Sequence, residues 1–247
     1  MTRDWDGHTY DRISDPLVRM GAAVVDRLVL EGDECVLDAG CGSGRVTEMV
    51  LERLPRGRAI ALDASPSMIE EARTRLSRFG ERVEYLVADL AGPLAVERQV
   101  DAILSTATFH WVADHDALFR NLAAVLRPGG QLVAQCGGAG NIATLTEVLR
   151  HTGDGWTGPW TFATPEETRR RLEAAGFDRV ETWLQDEPVA LQRGEELDTY
   201  LQTIMLRAHL DRLPPADRPR FVRAVADALP SPVLDYVRLN IVARLAD

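Results

Sequence analysis

The stretch "VLDAGCGSGRV" sets an aspartate ahead of three alternating glycines, in the order Asp38-x-Gly40-x-Gly42-x-Gly44. Glycine admits tight turns and lets a backbone come close to a ligand. The dinucleotide version of such a turn, Gly-x-Gly-x-x-Gly, presents amides to a pyrophosphate. Here the spacing differs, and a carboxylate just before the first glycine would repel a pyrophosphate and suit a ligand with positive charge. Two further acids follow. Asp63 closes "RAIALD", where a carboxylate can accept both hydroxyls of a ribose. Asp89 closes the next apolar run in "VADL", placed to accept an adenine amino group. Three acids at three neighbouring strand ends suit one extended adenosyl ligand. S-adenosylmethionine has an ammonium group, a sulfonium and no phosphate.

These acids need strands whose carboxyl ends line up. "CVLDAG", "RAIALD", "VEYLVA" and "VDAILS" read as four strands, with "RVTEMVLERL" and "SPSMIEEARTRL" as intervening helices. Ser65 reads as the cap of the second helix, with Pro66 at its first position. "DALFRNLAAVL" is a helix, capped by Asp114 or Asp116 and closed by a sharp "RPGG" turn into "QLVAQ". Strands separated by such helices imply a parallel sheet. Beyond it come the glycine loop "CGGAGN", the tryptophan-bearing loop "GDGWTGPWTFATPEE", a helix capped by Thr164 and ended by Gly176, and the strand "RVETWLQ". Two helices, 194–213 and 215–229, read as a cap over one edge of the sheet before a final β-rich run, "VLDYVRLNIVARL".

The 247 residues fit one large α/β domain, and the formal net charge of −10 argues against a broad nucleic-acid footprint. All 28 basic residues are arginine, which removes Schiff-base chemistry, a Walker lysine and any lysine base, and hints at a GC-rich bacterial genome. The odd set Cys35, Cys41 and Cys136 shows no metal-ligand spacing and reads as reduced, buried thiols. The polar N-terminal stretch reads as no signal peptide, and no apolar run approaches a bilayer's thickness. The expectation is a soluble cytoplasmic protein that binds no metal, nucleic acid or membrane. Nothing in the sequence sets an oligomeric state.

Together "VLDAGCGSG", "ALDAS", "VADL" and "LRPGGQLV" resemble the class I S-adenosylmethionine-dependent methyltransferases, most strongly over residues 33–135. Within that class "WDGHTYDRISDPLVR", "STATFHWVADHDALF", "LRAHL" and the terminal "IVAR" are similar to the trans-aconitate methyltransferase family. The resemblance implies a doubly wound, mostly parallel, seven-stranded Rossmann-like sheet whose last strand is antiparallel. It divides a single domain, 1–247, into an N-terminal lid (1–30), a cofactor core (33–136) and a helical cap (188–230). The implied cofactor is S-adenosylmethionine, with S-adenosylhomocysteine as product and a small molecule as acceptor. Its expected contacts are Arg19 on the methionine carboxylate, then Asp38, Gly40, Cys41, Gly42, Gly44, Asp63, Ala64, Met68, Ala88, Asp89, Leu90 and Thr106.

The resemblance puts residues 106–111 beside the transferable methyl. Trp111 would hold one oxygen of a substrate carboxylate through its indole N–H. His110 stands where the family usually has glutamine; it would donate to that carboxylate, or act as general base on a phenol, hydroxyl or amine in the alternative reading. His115, at a helix start, reads as a surface residue. Trp5 and Tyr10 would fold over the cofactor, and Arg207 would take a remote carboxylate of the acceptor. The family tends to have glycine at Met205 and tryptophan at His209. Met205, Leu206, Trp156 and Trp160 would therefore line a more apolar pocket, and one arginine is few for a tricarboxylate.

Overall fold

The computed structural model describes residues 15–247, with side chains from Arg19 onward. Strands β1 (Cys35–Ala39), β2 (Arg58–Asp63), β3 (Val83–Val87), β4 (Val100–Thr106), β5 (Leu126–Gly137), β6 (Phe177–Asp186) and β9 (Val237–Leu245) form one seven-stranded sheet. Its order is β3-β2-β1-β4-β5-β9-β6. Strands β1 to β5 run parallel, and β9 runs antiparallel to both β5 and β6. A small separate pair joins β7 (Val189–Ala190) to β8 (Val233–Leu234).

Every residue of β1 is buried, as expected of a central strand covered on both faces. On one face Leu37, Ile60 and Ile103 pack against Phe119 and Leu122 of helix α4 (His115–Val125) and Leu172 of α6 (Pro165–Ala174). On the other, Val36, Ala102 and Leu104 meet Val24 of α1 (Asp15–Val25) and Val50 of α2 (Arg45–Glu52). Each of the valine, leucine, isoleucine and phenylalanine side chains here contributes roughly 1.5–3 kcal/mol when fully buried. Helix starts follow their caps. The Ser65 hydroxyl accepts from the Met68 amide at the start of α3 (Pro66–Leu76), Asp114 accepts from Ala117 at the start of α4, and Thr164 with Glu167 forms a reciprocal capping box on α6.

A second apolar cluster lies away from the sheet. It joins Leu145 and Leu149 of α5 (Ala143–Arg150), Leu201, Ile204 and Met205, and Val222 and Val225 of α9 (Arg218–Ala228). The helix expected over 194–213 is broken here. Helix α7 (Glu195–Tyr200) passes into a π turn, Leu201–Met205, and a short α8 (Arg207–Leu210). The Leu206 amide reaches the Leu201 carbonyl, five residues back, at 2.7 Å. The wider turn lets Leu201, Ile204, Met205 and Leu206 all be buried, which a regular helix face would not allow. The sharp turn expected at "RPGG" lies inside β5. Residues 127–130 bulge out between the pairs Val100–Leu126 and Ala102–Gln131, with Gly129 left-handed at φ +70°. No helix among the described residues is long and apolar enough to cross a membrane.

Candidate active site

A cavity of about 360 Å³ opens at the carboxyl ends of β1 to β4. One half is made of backbone and strand ends: Gly40, Gly42, Asp63, Ala64, Met68, Ala88, Asp89, Leu90 and Thr106 line it. Gly40 and Cys41 donate their amides to the Leu62 carbonyl at 2.8 and 2.9 Å, which folds the loop back onto β2. Gly40 is left-handed at φ +88°, and a Cβ there would lie 2.1 Å from Thr108 Oγ1. That hydroxyl donates within reach of the Gly40 and Thr106 carbonyls, tying the glycine loop to the end of β4.

Asp63 is held in place by amides. Its Oδ2 accepts from Gly42 and its Oδ1 from Ser65, at 3.0 and 2.9 Å. Burial raises its carboxyl above the ordinary range against the pull of these amides. Asp89 is exposed at the cavity rim and its Oδ1 accepts from the Ala91 amide. Asp38 lies behind the loop and is 1% exposed. Its Oδ2 accepts a 2.6 Å bond from the Thr47 hydroxyl, while Oδ1 is buried without a hydrogen-bond partner among the described residues. Burial, with Asp63 nearby, pushes its pKa up to about 7, against the lowering effect of Thr47.

The other half of the cavity is made of side chains from distant segments. His110 and Trp111 arrive on the short turn Phe109–Trp111, which follows Ala107 at φ +56°, a strained value for a residue with a Cβ. Trp160 and Phe162 stack nearly parallel with centroids 5.9 Å apart, Trp111 meets Trp160 edge-on at 5.8 Å, and His110 lies 5.9 Å from Phe162. The Thr161 amide donates to the His110 carbonyl, joining the two loops. Ile142, Ile204, Met205 and Tyr236 complete the apolar wall. The Tyr236 hydroxyl lies 3.0 Å from both Met205 Sδ and Tyr200 Oη.

His110 Nδ1 accepts the Gly137 amide at 3.2 Å. The neutral ring therefore carries its proton on Nε2. Burial, then the positive charge of Arg238, and that of His115 when its ring is protonated, holds its pKa well below the usual histidine value. Arg238 was not among the expected site residues. It is 2% exposed, lines the cavity, and pairs across the sheet with Gly137, the same residue whose amide meets His110.

Several expected residues fall elsewhere. Cys41 and Gly44 are packed behind the glycine loop rather than lining the cavity; a Cβ on Gly44 would press on Ala72 at 3.3 Å. Arg19 is exposed on α1, away from the cavity lining. Arg207 also lies off the lining, with its Nε 3.3 Å from Asp211 one helical turn on. Trp156 sits against Arg212 and His209, and the buried His209 ring in turn meets Trp160. His115 is not a surface residue. It is 4% exposed, and its Nε2 bonds the Phe109 carbonyl at 3.0 Å, bracing the turn that carries His110. Trp5 and Tyr10 lie outside the described residues.

A methyltransferase domain model matches residues 36–130. Trans-aconitate 2-methyltransferase of Methylobacterium radiotolerans is 31% identical over 265 residues, covering 98% of this chain and 99% of the relative. The chain belongs to the class I S-adenosylmethionine-dependent methyltransferases. A second relative, trans-aconitate 2-methyltransferase of an Azoarcus species, is 35% identical over 53% of this chain and 50% of its own length. Among solved structures, the methyltransferase of a Haloferax volcanii complex with a methyltransferase activator superposes with a TM-score of 0.64 at 21% identity, covering 98% of this chain and 95% of that one. The enzyme uses S-adenosylmethionine. The residues present fit that cofactor. Asp38 keeps a buried carboxylate oxygen that calls for a cation, and a Cβ on Gly42 would meet nothing within 4 Å, leaving room over the loop.

Proposed function

We propose that this methyltransferase acts on a carboxylate of a small acid and releases a methyl ester. The observation that carries the reading is the hydrogen bond from Gly137 to His110 Nδ1, which occupies the nitrogen a general base would use. The chain then offers His110 as a neutral donor and Arg238 as a cation, a pair suited to a nucleophile that is already ionised. The full-length relative named for trans-aconitate supports the same chemistry.

When bound, S-adenosylmethionine would supply a methyl group on a positively charged sulfur for transfer to an acceptor oxygen, and an acceptor already ionised as a carboxylate would ask no proton removal of the chain. The chain's own work is placement. Well-oriented groups gain effective molarities on the order of 10⁵–10⁸ M. We assign the cofactor to Asp38, Gly40, Gly42, Asp63, Asp89 and their neighbours, and the acceptor to His110, Trp111, Trp160 and Met205. Residues 33–136 act as the cofactor core and 188–230 as the cap. Three buried free cysteines fit a reducing cytoplasm, the all-arginine composition a bacterial source, and the acidic charge a protein that avoids nucleic acid.

The test is mass spectrometry of purified enzyme with S-adenosylmethionine and a panel of acids, phenols and amines. A base-labile product 14 mass units heavier from acids alone is expected. Transfer only to phenols or amines would return His110 to the role of base and overturn the reading.

A further inference from the structure

Methionine is an adaptable apolar side chain, unbranched with three rotatable bonds, and in a binding wall it usually gives way to what presses on it. Met205 is held against such movement. It stands in the half of the cavity assigned above to the acceptor, beside Ile142, Ile204 and Tyr236. Its sulfur accepts a hydrogen bond from the Tyr236 hydroxyl at 3.0 Å. A thioether can only accept, so the proton in that bond is the tyrosine's. The Tyr200 hydroxyl lies 3.0 Å from the same Tyr236 oxygen. Burial, then Tyr236 itself, raises the Tyr200 phenol well above its usual value, so it stays an O–H able to donate to that oxygen. All three side chains are buried.

This clamp is anchored on both sides. Tyr200 closes α7 and Met205 closes the π turn Leu201–Met205, so one hydroxyl holds the two ends of the wide turn. Turns of this kind recur at functional sites, and here Ile204 and Met205, adjacent in sequence, both face the cavity. Tyr236 lies in the short segment before β9, which hydrogen bonds fix in place. The Ile142 amide donates to the Asp235 carbonyl at 2.9 Å, and the Glu187 amide to the Tyr236 carbonyl at 2.8 Å. Asp235 Oδ2 accepts from the amide and the hydroxyl of Thr144, in the first turn of α5, at 3.0 and 2.9 Å. A flexible side chain has thus become a wall of fixed shape. The described residues line about 360 Å³ for cofactor and acceptor together, near the lower end of the ~300–1,000 Å³ of ligand sites. We propose that Met205 sets the bulk of the acceptor this enzyme admits, that Tyr236 and Tyr200 are the positioning residues that hold it, and that the preferred acceptors are compact acids rather than long-chain ones. The acid class rests on the carboxylate reading above, and the role of Met205 only on the acceptor lying in this half of the cavity.

The test compares crotonate with octanoate, and phenol with 4-hexylphenol, as acceptors for the full-length enzyme, and takes the ratio of kcat/KM between the bulky and the compact member of each pair. The wild type is expected to favour crotonate over octanoate by about tenfold or more, since one surplus methylene in a fitted apolar pocket already costs roughly 10- to 200-fold. Met205→Ala is expected to raise the octanoate-to-crotonate ratio by about tenfold or more, by the same reasoning. Affinity for S-adenosylhomocysteine in calorimetry should stay within about threefold, as for an independent site. Tyr236→Phe keeps the ring and releases the thioether, and should raise the ratio by about threefold, as the loss of one hydrogen bond predicts. In a Met205→Leu background, which keeps the bulk but lacks the sulfur acceptor, Tyr236→Phe should leave the ratio where it is. An unchanged ratio in Met205→Ala would overturn the wall. Weaker S-adenosylhomocysteine binding with acceptor selection intact would do the same, by placing Met205 against the cofactor. An equal effect of Tyr236→Phe in both backgrounds would overturn the clamp, because a purely structural role does not depend on the sulfur. A wild-type preference for octanoate would overturn the compact class. Transfer to phenols alone would remove the carboxylate reading and leave the phenol pair to decide Met205; transfer to neither pair would remove both. If Met205→Ala does not fold, Tyr236→Phe with and without Met205→Leu decides.

Discussion

The two halves of the cavity are built in different ways. The half proposed for the cofactor is a backbone structure: a glycine loop pinned to Leu62, and a carboxylate held by the amides of Gly42 and Ser65. The half proposed for the acceptor is a side-chain structure, assembled from the turn after β4, the loop 159–162, the π turn and the start of β9. A backbone site tolerates little change, because each donor is fixed by the chain path. A side-chain site can be reshaped by single replacements with the frame intact. The halves should therefore respond to mutation with different severity.

The sharpest break is expected at Gly40. Alanine there would take an unfavourable left-handed φ and drive Thr108 from its bonds to the Gly40 and Thr106 carbonyls. Strain plus lost bonds amounts to about 3–5 kcal/mol, so calorimetry with S-adenosylhomocysteine should show affinity lowered by more than about 100-fold. Asp63→Asn comes next. An amide can accept at only one of the two positions now bonded by Gly42 and Ser65, leaving one loop amide without its partner at about 1–3 kcal/mol, or roughly 10- to 100-fold in the same titration. Affinity within twofold of wild type for either variant would erase the contrast between the halves.

Asp38 gives a smaller effect with a distinctive pH signature. Its folded pKa of about 7 lies above the ordinary carboxylate value, so the ligand-free protein binds the extra proton and loses this contribution to stability as pH rises from about 4 to 7. A cationic ligand reverses the preference, because it favours the ionised form. Cofactor affinity should therefore rise about tenfold from pH 6 to pH 8, with proton release below pH 7. Asp38→Asn should bind weakly with a flat profile. A flat profile in the wild type would detach Asp38 from the ligand's positive group.

The same contrast explains what could be read in advance. Gly40, Asp63 and Asp89, which the fold brings to the cavity lining, were legible because a turn's needs are local: the glycines, the acids and the apolar runs before them lie within a few residues of each other, while Asp38 lies buried behind the loop. Arg238 was not, because a strand residue points to either face and nothing nearby says which. A signal was present in "VRLNIVARL": Arg238 and Asn240 are polar two positions apart in a strand that ends up inside the sheet, and both are buried. Arg207 misled for the converse reason. Its motif placed it on the cap, but the π turn at Leu201–Met205 changes the phase of every helical residue after it, and periodicity cannot foresee such a turn. His115 looked exposed as the second residue of "DHD", yet it is buried with its Nε2 on the Phe109 carbonyl, which the Val112 amide also reaches, so the ring becomes part of the turn it braces.

The mildest change, and the best probe of the side-chain half, is His110→Gln. Imidazole here accepts from Gly137 at Nδ1 and carries its proton on Nε2, so it has one acceptor facing the sheet and one donor left. A glutamine amide offers the same pair of functions and the residue the family usually has there. Activity at saturating cofactor should stay within about threefold, since one neutral hydrogen bond is re-formed at little net cost. Alanine removes the donor and also leaves the buried Gly137 amide unmatched, for a loss of about tenfold. The wild type and both variants should keep kcat/KM for the acid level between pH 6 and pH 8 at saturating cofactor, because burial disfavours the charged imidazole of the wild type, the variants have no titrating group there, and the nucleophile is already charged. A general base would behave otherwise. Glutamine cannot take a proton, and its loss with alanine's would reach about 10²–10⁴-fold. The ratio of the two variants, measured on one acid, thus separates a residue that orients from one that abstracts.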